Sequence, residues 1–175
     1  MNTLIDKAKK IKCLITDVDG VLTNGLLYID NHGNELKAFN VLDGMGLKLL
    51  MCADIHVAVI TTSVNAVIQN RMKQLGVEHY YTGQVNKEAA FLDIQQKLNL
   101  APEAIAYIGD DLPDLSLIKK VGLGVAVANA VNAVKEFAVW QTTKSGGEGA
   151  VRELCDLILN AQGKEEQALA RYLNV

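Results

Sequence analysis

Apolar positions follow two patterns that alternate along the chain. Continuous apolar runs at residues 11–16 ("IKCLIT"), 56–61 ("HVAVIT"), 79–83 ("HYYTG"), 104–111 ("AIAYIGDD") and 122–129 ("GLGVAVAN") read as buried strands. Between them, apolar residues recur every three or four positions. Helical spacing runs from about 44 to 53. Val64, Val67, Ile68, Met72 and Leu75 mark one face of a second helix, with Gly76 placed to cap its end. Phe91, Ile94 and Leu98 stripe a third. A short helix and an "AVW" run follow the fifth strand, and Val151, Leu154, Cys155, Ile158 and Ala161 stripe a helix from about 148 to 161. The tail, 163–175, is weakly amphipathic. One stretch breaks the alternation: in "GLLYIDNHGNELKAFNV", residues 25–41, two strand-like runs flank a turn-rich cluster and predict a β-hairpin.

Apolar strands alternating with helices predict an α/β fold: a three-layer, Rossmann-like parallel sheet with helices on both faces and a protruding hairpin. The 175 residues are expected to form one domain, 1–175. Half the residues are hydrophobic and two are proline, which argues against disorder. A net charge of −3 supplies no general basic field for nucleic acid or an anionic membrane. No apolar run is long enough to span a bilayer. The three cysteines, Cys13, Cys52 and Cys155, fall in apolar stretches without a CxxC, as expected of reduced thiols. The opening "MNTLIDKAKKIK" lacks the apolar core of a signal peptide, so the expected location is the cytoplasm.

Ligands of such sheets bind beyond the carboxyl ends of the strands. Those positions hold Asp17 and Asp19, then Thr61 and Thr62, then Asp110 and Asp111 with Asp114 close by; Lys87 opens a helix. Residues i and i+2 of a strand share a face, so Asp17 and Asp19 can turn toward one centre. Clustered carboxylates raise one another's pKa unless a cation joins them. A hard divalent cation such as Mg2+ suits oxygen ligands, and no His pair or Cys cluster offers a zinc site. Any one of these residues alone reads as an ordinary solvated cap or surface group. Acids at two strand ends with a hydroxyl at a third point to chemistry.

These residues also carry a resemblance. "DVDGVLT" (17–23) resembles the first signature of the haloacid dehalogenase (HAD) superfamily, DxDGxLT. Thr61 after "VAVI" is similar to its second motif, Lys87 to its third and "GDDLPDL" to its fourth. Over nearly its whole length the chain is similar to the capless subfamily III A, closest to the group that includes the 3-deoxy-D-manno-octulosonate 8-phosphate (Kdo-8-phosphate) phosphatases. The shared features are the hairpin, the Asp43-Gly44 step and "GGEGAVRE". The resemblance implies an Mg2+-dependent phosphomonoester hydrolase of lipopolysaccharide precursor synthesis, acting through an aspartyl phosphate. Asp17 is then the nucleophile and Asp19 the acid–base. Mg2+ is held by the Asp17 carboxylate, the Asp19 main-chain carbonyl and Asp110. Thr61 bonds the phosphoryl group and Lys87 offsets its charge. Asp111 and Asp114 stand behind the metal, and Thr62 and Arg152 join the substrate contacts.

The gaps between motifs leave no room for a cap domain. The site is either open to a large substrate or closed by another subunit. Leu26, Leu27, Ile29, Leu36, Phe39 and Val41 make the hairpin too apolar for a lone ribbon, so self-association is expected, as a homotetramer by the resemblance. Two departures bear on the substrate, expected to be a small phosphorylated sugar acid. Leu42 and Ser63 stand where the resembled phosphatases usually have arginine. A sialic-acid-like nonulosonate 9-phosphate is therefore the alternative substrate, and a non-catalytic binding or regulatory module the alternative class.

Overall fold

The computed structural model describes residues 3–173, with the Arg171 side chain left out; the last two positions of the tail lie outside the described residues. Strand β1 (Cys13–Thr16) is wholly buried. It pairs in parallel with β4 (His56–Ile60) on one side and β6 (Ile105–Gly109) on the other. β5 (His79–Tyr81), β7 (Leu123–Ala126) and β8 (Trp140–Gln141) complete a six-stranded parallel sheet in the order β5-β4-β1-β6-β7-β8. The expected α/β fold is therefore present, with strand ends trimmed by one to three residues.

Helices α2 (Val41–Cys52) and α3 (Ala66–Leu75) carry the chain outward from β1 to β5. Helices α4 (Glu88–Leu98), α5 (Leu115–Lys120) and α6 (Asn132–Phe137) carry it back through β6 to β8. Right-handed crossovers travelling in opposite directions place these two groups on opposite faces. Helices α7 (Ala150–Gln162) and α8 (Glu165–Leu173) pack with α2, and α1 (Leu4–Ala8) packs with α7. The weakly amphipathic tail is thus mostly helix: Ala168 is buried, and Lys164 Nζ donates to the Ala53 carbonyl at 2.6 Å. On α3 the expected stripe is narrower. Ile68, Met72 and Leu75 are buried, whereas Val64 and Val67 face solvent. Gly76 closes α3 in the left-handed conformation, as its position predicted. Among the described residues no helix is long and apolar enough to cross a membrane.

The hairpin is a short ladder, β2 (Tyr28–Ile29) against β3 (Glu35–Leu36). Leu26, Leu27, Ile29 and Leu36 are each more than 60% exposed. Phe39 behaves differently: it packs against the core, with the Arg71 guanidinium 5.9 Å from its ring centre. Between the first two motif strands the chain holds only this hairpin and α2, and no cap domain.

Helix α7 begins at Gly149, which has no side chain to cap it. The cap comes from α2. The buried Asp43 carboxylate accepts the Arg152 N–H at 2.8 Å and the Gly149 N–H at 3.3 Å. The Asp43-Gly44 step and "GGEGAVRE" are therefore one structural unit, far apart in sequence. Burial raises the Asp43 pKa, opposed by those backbone donors. Asp43→Ala leaves buried helix-end amides unpaired and is expected to lower unfolding free energy by about 1–3 kcal/mol. Asp43→Asn keeps one acceptor oxygen and should lose less; urea denaturation of the two variants checks the order.

Candidate active site

The chain runs outward from β1 to β5, then returns to lay β6 beside β1. That reversal opens a cleft at the carboxyl ends of the strands. The cleft, about 240 Å³, is lined by Asp17, Asp19, Gly20, Thr62, Asp110 and Asp111 among others. A larger depression of about 420 Å³ lies at the amino ends of β4 and β5, around His56 and His79, but holds none of the motif residues.

β1 delivers Asp17, which is 8% exposed. Its Oδ1 accepts the Val18 N–H at 2.6 Å, and its Oδ2 lies 2.9 Å from Lys87 Nζ. Lys87, at the N-cap of α4, is buried rather than solvated. Its ammonium also lies 2.6 Å from Asp114 Oδ1 and donates to the Tyr107 hydroxyl at 3.2 Å. Tyr107 donates in turn to Asp114 Oδ1 at 2.5 Å, while Asp114 Oδ2 accepts the Asp110 and Asp111 N–H groups. Asp114 can tuck beneath the strand end because Gly109 has no side chain: a β-carbon there would come within 2.5 Å of Asp114 Cβ. With its oxygens already engaged by four donors, Asp114 orients Lys87 and the Asp110 backbone.

Carboxylate oxygens of Asp17, Asp110 and Asp114 lie within 4.8 Å of one another. Burial, reinforced by the neighbouring Asp114, pushes both Asp17 and Asp110 up to about 7; Lys87 opposes the rise but does not cancel it. Burial also works to lower the Lys87 pKa, but Asp17 and Asp114 outweigh it and hold the ammonium above its usual range. Three carboxylates facing one ammonium leave two negative charges in excess, which a divalent cation neutralises. The backbone leaves room for it. Gly20 turns out of the strand with φ +82°, and a β-carbon on it would sit 2.0 Å from Asp110 Oδ2. The donor set of hard oxygens fits Mg2+.

Asp19 lines the same cleft, but its carboxylate is not part of that cluster. Its Oδ1 lies 2.5 Å from Lys37 Nζ on the hairpin. Thr61 is buried at the end of β4, its hydroxyl accepting the Ser63 N–H at 3.1 Å, while Thr62 is exposed at the cleft wall. Asp111 is exposed and accepts the Leu112 N–H, capping a short 3-10 turn over residues 112–114. Arg152 lies on α7, where its Nε donates to Asp156; it does not line the cleft.

Sequence reading missed three residues of this region. Tyr107 is one, and its signal was a hydroxyl within an otherwise apolar strand, which needs a buried partner. Lys37 is another, masked by the polar hairpin tip. The third is Asn129, whose amide donates to the Gly20 carbonyl at 3.3 Å and accepts the Gly146 N–H at 2.7 Å, tying the first-motif turn to the glycine-rich loop.

A family profile described as haloacid dehalogenase-like hydrolase matches residues 55–154. The chain belongs to this family. It is 51% identical over 165 residues to the 3-deoxy-D-manno-octulosonate 8-phosphate phosphatase KdsC of Escherichia coli K12, covering 94% of this chain and 88% of that protein. A HAD superfamily (subfamily III A) hydrolase of Legionella pneumophila superposes with a TM-score of 0.97 at 66% identity, over 100% of this chain and 96% of that one. The 3-deoxy-D-manno-octulosonate 8-phosphate phosphatase of Moraxella catarrhalis, solved with magnesium, phosphate and KDO, gives 0.93 at 41% identity over 98% and 99%.

The HAD acid cluster has a thermodynamic consequence. Asp17 and Asp110 hold their protons more tightly folded than unfolded, so the folded state binds more protons between about pH 4 and 7. In the metal-free chain, stability from these groups is present at low pH and is lost as pH rises toward 7. A divalent cation competes with those protons. Thermal unfolding with and without Mg2+ should therefore show a larger Tm gain at pH 7.5 than at pH 5; an equal gain would place the cation elsewhere.

Proposed function

We propose that this HAD hydrolase is an Mg2+-dependent Kdo-8-phosphate phosphatase of the cytoplasm. The observation that carries the reading is the buried Lys87 ammonium holding Asp17 at the mouth of an acidic, cation-ready cleft. The substrate follows from 51% identity to a phosphatase of that name and from the likeness to the Moraxella enzyme solved with KDO. The buried thiols of Cys13 and Cys155 suit a reducing compartment.

In this reading an Asp17 oxygen attacks phosphorus and Asp19 gives its proton to the sugar oxygen that leaves. Asp19 then takes a proton from the water that hydrolyses the aspartyl phosphate. Lys87 restrains the nucleophile and balances phosphoryl charge; Asp114 and Tyr107 hold Lys87. Thr61 offers its hydroxyl, and Thr62 its hydroxyl and amide, to the phosphoryl oxygens; the Thr61 amide is taken up by the Tyr81 carbonyl. Asp17, the Asp19 carbonyl and Asp110 would hold Mg2+, which when bound neutralises those oxygens and keeps them in line. Arg152 is assigned to the substrate's carboxylate only if it leaves Asp156. Leu42 and Ser63 keep a nonulosonate 9-phosphate as the second candidate.

Activity against a panel of phosphorylated sugar acids with Mg2+ tests the reading. Kdo-8-phosphate should be turned over best, a chelator should remove activity, and Asp17→Asn should abolish it. Preference for a nonulosonate 9-phosphate would shift the substrate; a fully active Asp17→Asn would overturn the mechanism.

Self-association completes the proposal. The exposed leucines and isoleucine of the hairpin make a surface that a second copy of this chain would cover, giving a homotetramer with a neighbour's hairpin near each cleft. Wild-type protein should exceed monomer mass in light scattering at micromolar concentration. Leu27→Asp with Leu36→Asp should shift it toward monomer, because both positions are exposed in the single chain and a buried unpaired charge is costly.

A further inference from the structure

The hairpin sends one charged group back into the cleft. Lys37 lies just past β3, and its side chain is only 3% exposed although the ribbon around it faces solvent. Its ammonium is 2.5 Å from Asp19 Oδ1 and 2.6 Å from Glu35 Oε1. Burying a long, flexible cation costs conformational entropy and hydration. The compensating contacts are these two carboxylates, one of which lines the cleft beside Asp17.

We propose that Lys37 is a positioning residue for phosphoryl transfer, holding the Asp19 carboxylate in the orientation from which it exchanges its proton. The inference rests on the acid–base role given to Asp19 above. As the bond from Asp17 to phosphorus forms, the ester P–O bond breaks. Its electron pair passes to the leaving oxygen, which takes the Asp19 proton. In the second step a water oxygen bonds to phosphorus, its proton returns to Asp19, and the bond to Asp17 breaks to release phosphate. Both proton transfers need one Asp19 oxygen within hydrogen-bond reach of the reacting oxygen. Asp19 follows the end of β1, with its side chain 34% exposed. Lys37 engages Oδ1 and leaves Oδ2 to carry the proton. Glu35 shares the same ammonium and offsets its charge, so the contact acts on Asp19 chiefly as a directed donor. The hairpin thereby becomes part of the chemical apparatus as well as a docking surface.

The test exploits the leaving group. A poor leaving group needs its proton from Asp19, whereas an activated one departs without it. kcat/KM reports the first step alone. Phenyl phosphate and p-nitrophenyl phosphate have similar size and lack sugar contacts, so a disturbed substrate wall affects both alike. Lys37→Met, and the milder Lys37→Gln, should lower kcat/KM for phenyl phosphate at least tenfold and for p-nitrophenyl phosphate less than threefold. Lys37→Arg, which keeps a charged donor, should recover part of the loss. Asp19→Asn in the same assay should show the same selectivity, more strongly. An equal loss on both esters, or none on either, in whichever neutral Lys37 variant folds, overturns the inference. Full activity of Asp19→Asn on both esters would instead overturn the acid–base role itself, so the two failures are separable.

Discussion

The cleft depends on one buried cation. Lys87 has three N–H donors and meets three acceptors: Asp17, Asp114 and the Tyr107 hydroxyl. Three carboxylates crowded at strand ends would otherwise take up protons, and Asp17 and Asp110 are already pushed up to about 7 by burial and by the neighbouring Asp114. Remove the ammonium and Asp17 loses the one cation paired with it among the described residues, leaving an uncompensated buried charge, a change that typically costs about 3–5 kcal/mol. Lys87 therefore makes an ionised Asp17 compatible with a folded chain. It does not finish the task, because two negative charges remain in excess. That excess of negative charge is what equips the site for a divalent cation.

The surroundings divide the acids by job. Asp114 is saturated with donors from both side chain and backbone, so it acts as a fixed strut. Asp110 accepts no such set and keeps its oxygens turned toward the Gly20 turn. Asp17 is pinned at one oxygen by the Val18 amide and at the other by Lys87. Asp19 is held instead by the hairpin, through Lys37. Similar side chains thus differ in role because their hydrogen-bond partners differ.

Much of this was legible in the sequence, for identifiable reasons. Short continuous apolar runs alternating with helical stripes point to strands covered on both faces, which puts the residues just beyond them at one edge of a parallel sheet. Asp17, Thr61 and Asp110 could thus be placed before any coordinates. Pattern failed where partners are distant. The Asp43 carboxylate capping α7 joins residues about a hundred positions apart, and nothing local marks it. Helix α5 was missed because "GDDLPDL" reads as a motif and a turn, and its few buried residues give no full period. Lys37 looked like any lysine near a hairpin tip. Val64 and Val67 continued an apolar stripe that the fold leaves in solvent, because α3 begins only at Ala66 and lies near the sheet edge.

A two-stranded ribbon is marginal in water by itself, and here its ladder is short. Its root is anchored by Phe39 on the core and by Lys37 between Asp19 and Glu35, while its outer leucines remain bare. Those two ends face different demands. The outer face would gain by burial against another copy, and that burial would hold the ribbon in a single conformation. The inner lysine needs that single conformation, because a hydrogen bond to a carboxylate weakens within a few tenths of an ångström and a few tens of degrees. Assembly and proton transfer would then be linked through one element, with order at the outer face setting how well Asp19 is aimed.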